Sequence, residues 1–268
     1  MLGICLLFKD SAQYLEEWLL FHHIQGFRRF FLYNNESSDN WEAVLDPWIK
    51  MGAVSVFSCP GTAVQREVYD DCLLRAKDSV DWLAFIDDDE FIYTNDGCSL
   101  EAALFDYADY AGIAVSWLLF GSGGIESWER KWVIDRFQLC AGSPDPHVKC
   151  IVRPKYVQHS KLIGHVFEPM EGYSVVDENK RPIAVPLNPR PSINRFCINH
   201  YLVKSWAEWK IRRNRPQADT GKPTPHPEAA WRGWDASWSS VHNANILRYR
   251  QPMLELAQKL SLPSGTCF

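Results

Sequence analysis

The stretch "WLAFIDDDEF" at residues 82–91 places four carboxylates at the end of an apolar run. Residues 82–86 are continuously apolar, which predicts a strand covered on both faces. Four neighbouring carboxylates repel one another, and burying them without partners is costly. The stretch therefore predicts that positive charge lies against the end of a buried strand.

Similar apolar runs occur upstream and alternate with helical patterns. With helices between them, strands are predicted at residues 2–8, 29–35, 53–57 and 82–86. This alternation with short links predicts an α/β fold with a doubly wound parallel sheet. Because ligands bind such sheets beyond the carboxyl ends of the strands, Lys9, Asn34 and the acidic cluster should meet at one rim.

Local signals predict further detail of this fold. The first helix is expected to begin at Asp10, with Gln13 completing a capping box, and to end at Gly26. A later strand is predicted at residues 116–120, before a glycine-rich segment. Weak alternation over residues 130–160 predicts strands at the edge of the sheet.

Composition excludes several classes of protein. The 268 residues carry a net charge of −5, which does not favour nucleic acid binding. None of the eight cysteines forms a CxxC pair, so the sequence gives no support to a zinc or thioredoxin site. The N-terminus lacks the basic region of a signal peptide, and the longest nearly apolar run, residues 112–121, is too short to span a bilayer. A reducing cytoplasm is the expected compartment.

The acidic cluster suits a hard divalent cation. Asp87 and Asp89 are separated by one residue, and carboxylate oxygens favour Mg²⁺ or Mn²⁺. Such an ion can bridge a diphosphate and neutralise the charge that grows on a leaving phosphate. A solvated acidic turn is the alternative. In either case, crowding predicts that removal of one carboxylate relieves repulsion.

The chain resembles glycosyltransferase family 92 and its family-2-like relatives, which have the GT-A fold. The stretches that carry the resemblance run in order along the chain: residues 8–39, Gln65 with Tyr69 and Cys72, "WLAFIDDDEF", 116–124, 148–154 and 199–205. The family usually has Lys-Asn-Glu where this chain has Lys9-Asp10-Ser11, and Asp-Asn where it has Asn34-Asn35. The resemblance implies a mostly parallel twisted sheet flanked by helices. It also implies one domain over residues 1–268, with a nucleotide-binding half at 1–95 and an acceptor half with C-terminal helices at 96–268.

The resemblance implies an activity as well. The expected reaction is transfer of a hexose from a nucleotide diphosphate sugar, with UDP favoured, to a glycan or polysaccharide acceptor with inversion. Asp87-x-Asp89 would be the DxD motif, with Asp89 on Mn²⁺ or Mg²⁺ and Asp87 on the metal or the ribose. His200 would complete the metal shell; a buried core histidine is the alternative.

Other residues are candidates for substrate binding. Lys9, Asn34, Gln65 and Asp88 are expected in the nucleotide-sugar pocket, and Lys204 could reach a phosphate. The alternatives are a surface charge for Lys9, a turn residue for Asn34 and an exposed helix position for Gln65. A local basic stretch could cover the diphosphate, touch a membrane peripherally or form a solvated helix face; it comprises Lys204, Lys210, Arg212, Arg213 and Arg215.

The sequence does not identify the general base. An inverting transfer needs a group that takes the acceptor hydroxyl proton, and Glu126, His165 and Asp135 are candidates. Two other functional interpretations of the sequence are also possible. One is a non-catalytic sugar- or nucleotide-binding protein on the same fold. The other is a DxD phosphohydrolase, which is disfavoured because its motif normally follows the first strand.

Overall fold

The computed structural model describes residues 1–161, 164–213, 220–222 and 227–260. Its first half alternates strands and helices as the sequence predicts. The elements in order are β1 Leu2–Phe8, α1 Ala12–Ile24, β2 Phe27–Asn34, α2 Trp41–Lys50, β3 Val54–Ser58, α3 Gln65–Ala76 and β4 Trp82–Phe85.

The second half is less regular and contains several short strands. Its strands are β5 Glu90–Thr94, β6 Gly112–Leu119, β7 Leu139–Cys140, β8 Asp145–Val152, β9 Val157–Lys161, β10 Val166–Pro169, β11 Val175–Val176, β12 Phe196–His200 and β13 Val241–His242. Its helices are α4 Leu100–Phe105, α5 Val133–Arg136, α6 Trp206–Arg212, α7 Glu228–Trp238 and α8 Arg250–Lys259. Short 3-10 turns lie at Pro154–Tyr156 and Asn245–Tyr249.

The central sheet has the strand order β3-β2-β1-β4-β8-β6-β12-β5, with β11 also paired to β6. The strands from β3 to β4 are mutually parallel, and β6 is parallel to both β12 and β11. Strand β8 is antiparallel to β4 and β6, and β5 is antiparallel to β12. The predicted fold class, an α/β fold with a mostly parallel sheet flanked by helices, is confirmed.

Both faces of the sheet are covered, which explains the continuous apolar runs. Ile4 and Leu6 of β1 pack into one core cluster, whereas Cys5 packs into the cluster on the other side. Alternate residues of a strand point to opposite faces, so a strand covered on both faces needs apolar residues at every position. The same division separates Ala84 from Phe85 in β4.

Two local predictions are wrong. Helix α1 begins after Ser11, and the predicted capping box at Asp10 is not formed: Asp10 has a left-handed φ of 48°, and its Oδ1 accepts the backbone N–H of Ser38. The strands predicted at the sheet edge include β8, which lies at its centre. Lys149 interrupts the apolar run of β8, so the sequence lacks the continuous apolar pattern expected of a central strand. The lysine can be buried there because Asp87, which is distant in the sequence, neutralises its charge.

Within the described residues, no helix combines the length and apolar character needed to cross a membrane.

Candidate active site

A cavity of about 490 Å³ lies at the carboxyl ends of β1, β2 and β4. This is the rim at which the sequence predicts a ligand site, and the volume suits a small-molecule ligand. Six predicted site residues line it, namely Lys9, Gln65, Asp87, Asp88, His165 and His200. Other lining residues include Phe8, Ser11, Asn35, Glu36, Thr62, Trp117, Lys149, Leu202 and Arg212.

The acidic turn after β4 is held in place by the protein around it. The backbone N–H of Asp87 donates to Glu90 Oε2 at 2.9 Å, and the indole N–H of Trp18 donates to the carbonyl oxygens of both residues. The Ser11 hydroxyl donates to Asp88. Hydrogen bonds within the turn and from Ser11 and Trp18, at the start of α1 and within it, thus hold the turn in place.

Lys149 of strand β8 places a positive charge beside the acidic turn. Lys149 Nζ lies 2.9 Å from Asp87 Oδ2 and 3.8 Å from Glu90 Oε2, and its side chain is 1% exposed. Burial alone would lower the pKa of Lys149, but the neighbouring carboxylates, Asp87 first, hold that pKa well above its ordinary value. Burial raises the pKa of Glu90 well above its usual range, which favours a neutral carboxyl group.

A second set of cations surrounds Asp89, which is fully buried. Arg212 donates to Asp89 Oδ2, and Lys204 Nζ lies 3.9 Å from the same oxygen. Burial would raise the pKa of Asp89, but the charges of Arg212 and Lys204, together with His200, outweigh it and hold the pKa well below its usual value. These contacts argue against the sequence-based expectation that removing one carboxylate relieves repulsion at Asp89, because its removal would leave Arg212 and Lys204 without this partner.

His200 reaches this site through the register of the sheet. Antiparallel pairing of β5 with β12 sets His200 opposite Glu90. His200 Nε2 lies 3.5 Å from Asp89 Oδ1, and its ring packs edge-on against Trp117 at a centroid distance of 4.4 Å. The sheet thus brings together two residues that are far apart in the chain.

The residues present fit a divalent cation. Asp89 Oδ1 and both ring nitrogens of His200 are buried and have no hydrogen-bond partner among the described residues. Buried polar atoms normally have partners, so a carboxylate oxygen and an imidazole nitrogen left adjacent and unsatisfied suit an absent metal ion. No group of three or more His, Cys, Asp or Glu side chains in the described ranges could hold an ion. Two protein ligands would thus leave the remaining positions to phosphate oxygens and water.

The segment that carries Lys204 and Arg212 is anchored by a buried ion pair. Arg136 binds both carboxylate oxygens of Glu208, and Tyr14 donates to the same carboxylate at 2.9 Å. Glu208 forms a capping box with Ser205 at the start of α6. Lys204 precedes this cap with a left-handed φ of 45°, and its ammonium lies over the Tyr14 ring. These contacts fix the two cations beside Asp89.

The rest of the basic stretch has other surroundings. Lys210 and Arg213 lie over the ring of Trp206, at 5.8 and 5.5 Å from its centroid. Arg215 is outside the described residues. Only two members of the stretch, Lys204 and Arg212, are therefore seen at the candidate site within the described residues.

Several predicted residues are placed away from the cavity or held by local bonds. Asn34 does not line it: its Oδ1 accepts the N–H of Ser37 as in a turn, and Asn35 lines the cavity instead. Gln65 begins α3 and donates to the Tyr69 hydroxyl at 3.1 Å.

The three candidate bases have different surroundings. Glu126 is exposed and lies 3.4 Å from Arg232, outside the cavity lining. Asp135 pairs with Arg250 at 2.8 Å. His165 lines the cavity, but its Nδ1 donates to the carbonyl of Val148, and burial, with the charge of Lys149, lowers its pKa to about 4.

Sequence reasoning missed Lys149, Trp117 and Asp235. Lys149 had a usable signal, since a lysine inside the apolar run "VKCIV" predicts a buried partner. Trp117 gave none. The Asp235 carboxylate accepts the backbone N–H groups of Ser122, Gly123 and Gly124, which holds the glycine-rich segment after β6.

A mostly parallel α/β sheet with a cavity at the carboxyl ends of its strands agrees with the GT-A class that the sequence resemblance implies. The family model of glycosyltransferase family 92 matches residues 1–183. The chain belongs to glycosyltransferase family 92.

Relatives in this family are similar over part of their length. A glycosyltransferase family 92 protein of Oryza sativa subsp. japonica is 28% identical over 212 residues, which cover 77% of this chain and 34% of the relative. Galactan beta-1,4-galactosyltransferase GALS2 of Arabidopsis thaliana is 28% identical over 142 residues, 47% of this chain and 27% of the relative. The chain spans about a third of the length of the first family 92 relatives it matches.

Among solved structures, the mannosyltransferase PcManGT of Pyrobaculum calidifontis, in complex with GDP-Man and Mn²⁺, is similar with a TM-score of 0.44 and 12% sequence identity. The similarity covers 96% of this chain and 75% of that chain.

Proposed function

We propose that this protein is a metal-dependent glycosyltransferase that moves a hexose from a nucleotide diphosphate sugar, with UDP as the nucleotide, to a glycan or polysaccharide acceptor with inversion. The observation that carries the proposal is the unsatisfied pair of Asp89 Oδ1 and His200 Nε2, 3.5 Å apart beside the cavity. Membership of family 92 supports the reaction class.

In this proposal, Asp89 and His200 hold Mn²⁺ or Mg²⁺, with Asp87 as a further ligand or a ribose contact. The bound ion supplies Lewis-acid neutralisation of the diphosphate that leaves the sugar. Arg212 lines the cavity and can donate to phosphate oxygens, whereas buried Lys204 acts on them as a nearby charge. Lys9, Gln65 and Asp88 line the part of the cavity proposed for the nucleotide sugar.

The donor sugar proposed for a first trial is galactose. Two galactan beta-1,4-galactosyltransferases of Arabidopsis thaliana are among the relatives, and they match 47% and 37% of this chain. Their names favour galactose as the transferred sugar and a galactan acceptor for this chain also. Short galactan oligosaccharides are therefore the first acceptors to try.

A thermal-shift screen of nucleotide sugars with Mn²⁺, followed by donor hydrolysis, tests the proposal. A ligand at 100 times its dissociation constant should stabilise the fold by about 2.7 kcal/mol. We expect a shift with a UDP-hexose and Mn²⁺, slow donor hydrolysis without acceptor, and loss of that hydrolysis on chelation. Binding without turnover would indicate a non-catalytic binding protein, and cleavage of simple phosphomonoesters would indicate a phosphohydrolase. Hydrolysis that persists in full after chelation would contradict the metal role.

A further inference from the structure

A pair of residues at the start of β8 lies close to the cavity but has no role in the metal or nucleotide site. Asp145 begins β8 and pairs in register with Trp117 of β6, which lines the cavity. Lys149, further along the same strand, lines the cavity as well. Asp145 and His147 therefore lie at the cavity end of the central strand, beside Trp117, although neither is itself a lining residue.

The pair has the geometry of an oriented imidazole. Asp145 Oδ1 accepts the backbone N–H of His147 at 2.9 Å and lies 2.6 Å from His147 Nδ1. A carboxylate can only accept, so Nδ1 carries the proton, and in the neutral imidazole Nε2 is the proton acceptor. Burial would raise the pKa of Asp145, but its bonds to His147 outweigh this and lower the pKa, which keeps the carboxylate ionised.

Aromatic packing fixes the ring on the cavity side. The His147 ring stacks on Trp117 at 5.1 Å between centroids and 19° between planes. Trp117 also makes T-shaped contacts with the rings of His200 and His165, and the ring of His147 lies 6.3 Å from that of His165. The imidazole is thus held in one plane and one tautomer next to residues that line the cavity.

His147 remains open to a ligand. Its side chain is 47% exposed, and Nε2 has no hydrogen-bond partner in the part of the chain that the structure describes. The indole nitrogen of Trp117 is buried and also unsatisfied there, so it offers a donor to an oxygen bound beside the ring. A hydroxyl group placed beside the exposed imidazole could donate to His147 Nε2.

The earlier candidate bases lack this combination of features. Glu126 and Asp135 pair with arginines outside the cavity lining. His165 lines the cavity but has a pKa lowered to about 4, which makes its free nitrogen a weak proton acceptor. His147 has an ionised orienting partner, as proton acceptors in nucleophilic catalysis commonly do.

We propose that His147, oriented by Asp145, is the general base that takes the proton of the acceptor hydroxyl. The proposal rests on the glycosyltransferase function proposed above. As the hydroxyl oxygen forms a bond to the anomeric carbon, its proton passes to His147 Nε2. The bond from that carbon to the diphosphate oxygen breaks, and the nucleoside diphosphate leaves with the bonding electron pair. The imidazolium that forms is stabilised by Asp145.

The test uses hydrolysis of UDP-galactose with Mn²⁺, in which water replaces the acceptor hydroxyl. His147→Ala should lower the turnover number by on the order of 10²-fold or more, since a positioned general base contributes roughly 10²–10⁴-fold. Affinity for UDP with Mn²⁺ should change less than about twofold, because His147 touches neither the metal ligands nor the nucleotide. Free imidazole should restore part of the lost rate, since the vacated position is open to solvent. Asp145→Asn should lower turnover with unchanged UDP affinity, because an amide can stabilise the wrong tautomer.

The control is His159→Ala, a histidine of β9 that, within the described residues, has no ring contact with Trp117, and it should leave turnover unchanged. A wild-type rate in His147→Ala would overturn the assignment of the base and leave the glycosyltransferase proposal standing. A loss of turnover together with UDP affinity, without imidazole rescue, would also overturn it. If the unmodified protein neither binds UDP with Mn²⁺ nor hydrolyses UDP-galactose, the proposed function fails, and the role of His147 fails with it.

Discussion

Lys149 Nζ lies 2.9 Å from Asp87 Oδ2, so the central strand β8 places a buried lysine against the acidic turn that follows β4. This ion pair joins two antiparallel neighbours in the sheet, and it places the cation on the opposite side of the turn from Ser11 and Trp18. At Asp87, the protein itself therefore supplies the positive charge that the four carboxylates require, without a metal ion.

Lys149→Met should lower both the stability of the fold and the affinity for UDP. Asp87 is 34% exposed and water can solvate its carboxylate, so the loss of stability should fall below the roughly 3–5 kcal/mol typical of breaking a fully buried pair. Urea unfolding and UDP titration measure the two effects. Lys155→Met is the control, because Lys155 and its partner Asp78 are both exposed. Equal stability of the two variants would show that the Lys149 pair contributes nothing.

The sequence predicted the rim of the sheet but not what neutralises the acidic cluster. Apolar runs and strand order sufficed to predict that Lys9 and Asp87 meet at one cavity, because parallel strands end on the same side, whereas Gln65 was expected there only from the family resemblance. The cations are Lys149, Lys204 and Arg212, and no local sequence pattern identifies the carboxylate that each one faces. These ion pairs depend on which strands become neighbours in the sheet. No periodicity in the sequence indicates that β8 inserts antiparallel between β4 and β6.

Asp89→Asn should destabilise the protein even without metal or nucleotide. The substitution leaves Lys204 buried beside an uncharged group and removes the partner of Arg212. Because the Arg212 side chain is 40% exposed and water can solvate it, the loss should fall below the roughly 3–5 kcal/mol of breaking a fully buried pair, and urea unfolding of the metal-free protein measures it. Asp46→Asn, which breaks an exposed pair with Lys50, should change stability by less than about 1 kcal/mol. A metal-free Asp89→Asn protein as stable as the parent would contradict the role of these cations.

Glu17 should make the stability of the fold depend on pH. Its buried carboxyl group accepts the backbone N–H groups of Val133 and Ile134, and burial raises its pKa from 4.5 to about 7. Between these two values the folded protein holds a proton that the unfolded chain has released. The contribution of Glu17 is thus fully present below pH 4.5 and is lost as the pH rises through 7, by at most about 1.4 kcal/mol per pH unit.

Glu17→Gln removes the titrating group and keeps an oxygen that can accept one of the two N–H groups. Free energies of unfolding measured between pH 4.5 and 8 should fall less steeply with rising pH in this variant than in the parent. Glu42→Gln, at an exposed position of α2, should keep the parent slope. Identical slopes for Glu17→Gln and the parent would mean that Glu17 is ionised throughout this range.

The proximity of His200 to Asp89 is a feature of the site that the sequence led us to expect. The order of motifs placed both residues in one proposed metal shell through the family resemblance. The structure adds the physical route: β5 begins within the acidic turn and pairs with β12, so that His200 faces Glu90 and its ring reaches Asp89. No rule of spacing predicts this register, because it depends on an antiparallel strand that the sequence reading did not separate from the turn.

The central claim is that Asp89 and His200 share one metal ion that binds the nucleotide diphosphate. The most direct measurement is UDP affinity by calorimetry, with and without Mn²⁺, for the parent, Asp89→Asn, His200→Ala and the double variant. His159→Ala serves as the histidine control. The account predicts that Mn²⁺ tightens UDP binding to the parent and the control. Each single variant should lose most of that gain, and the double variant should lose little more, since residues that act as one unit are not additive. Full Mn²⁺ enhancement in His200→Ala would contradict the claim and make His200 a core residue packed on Trp117.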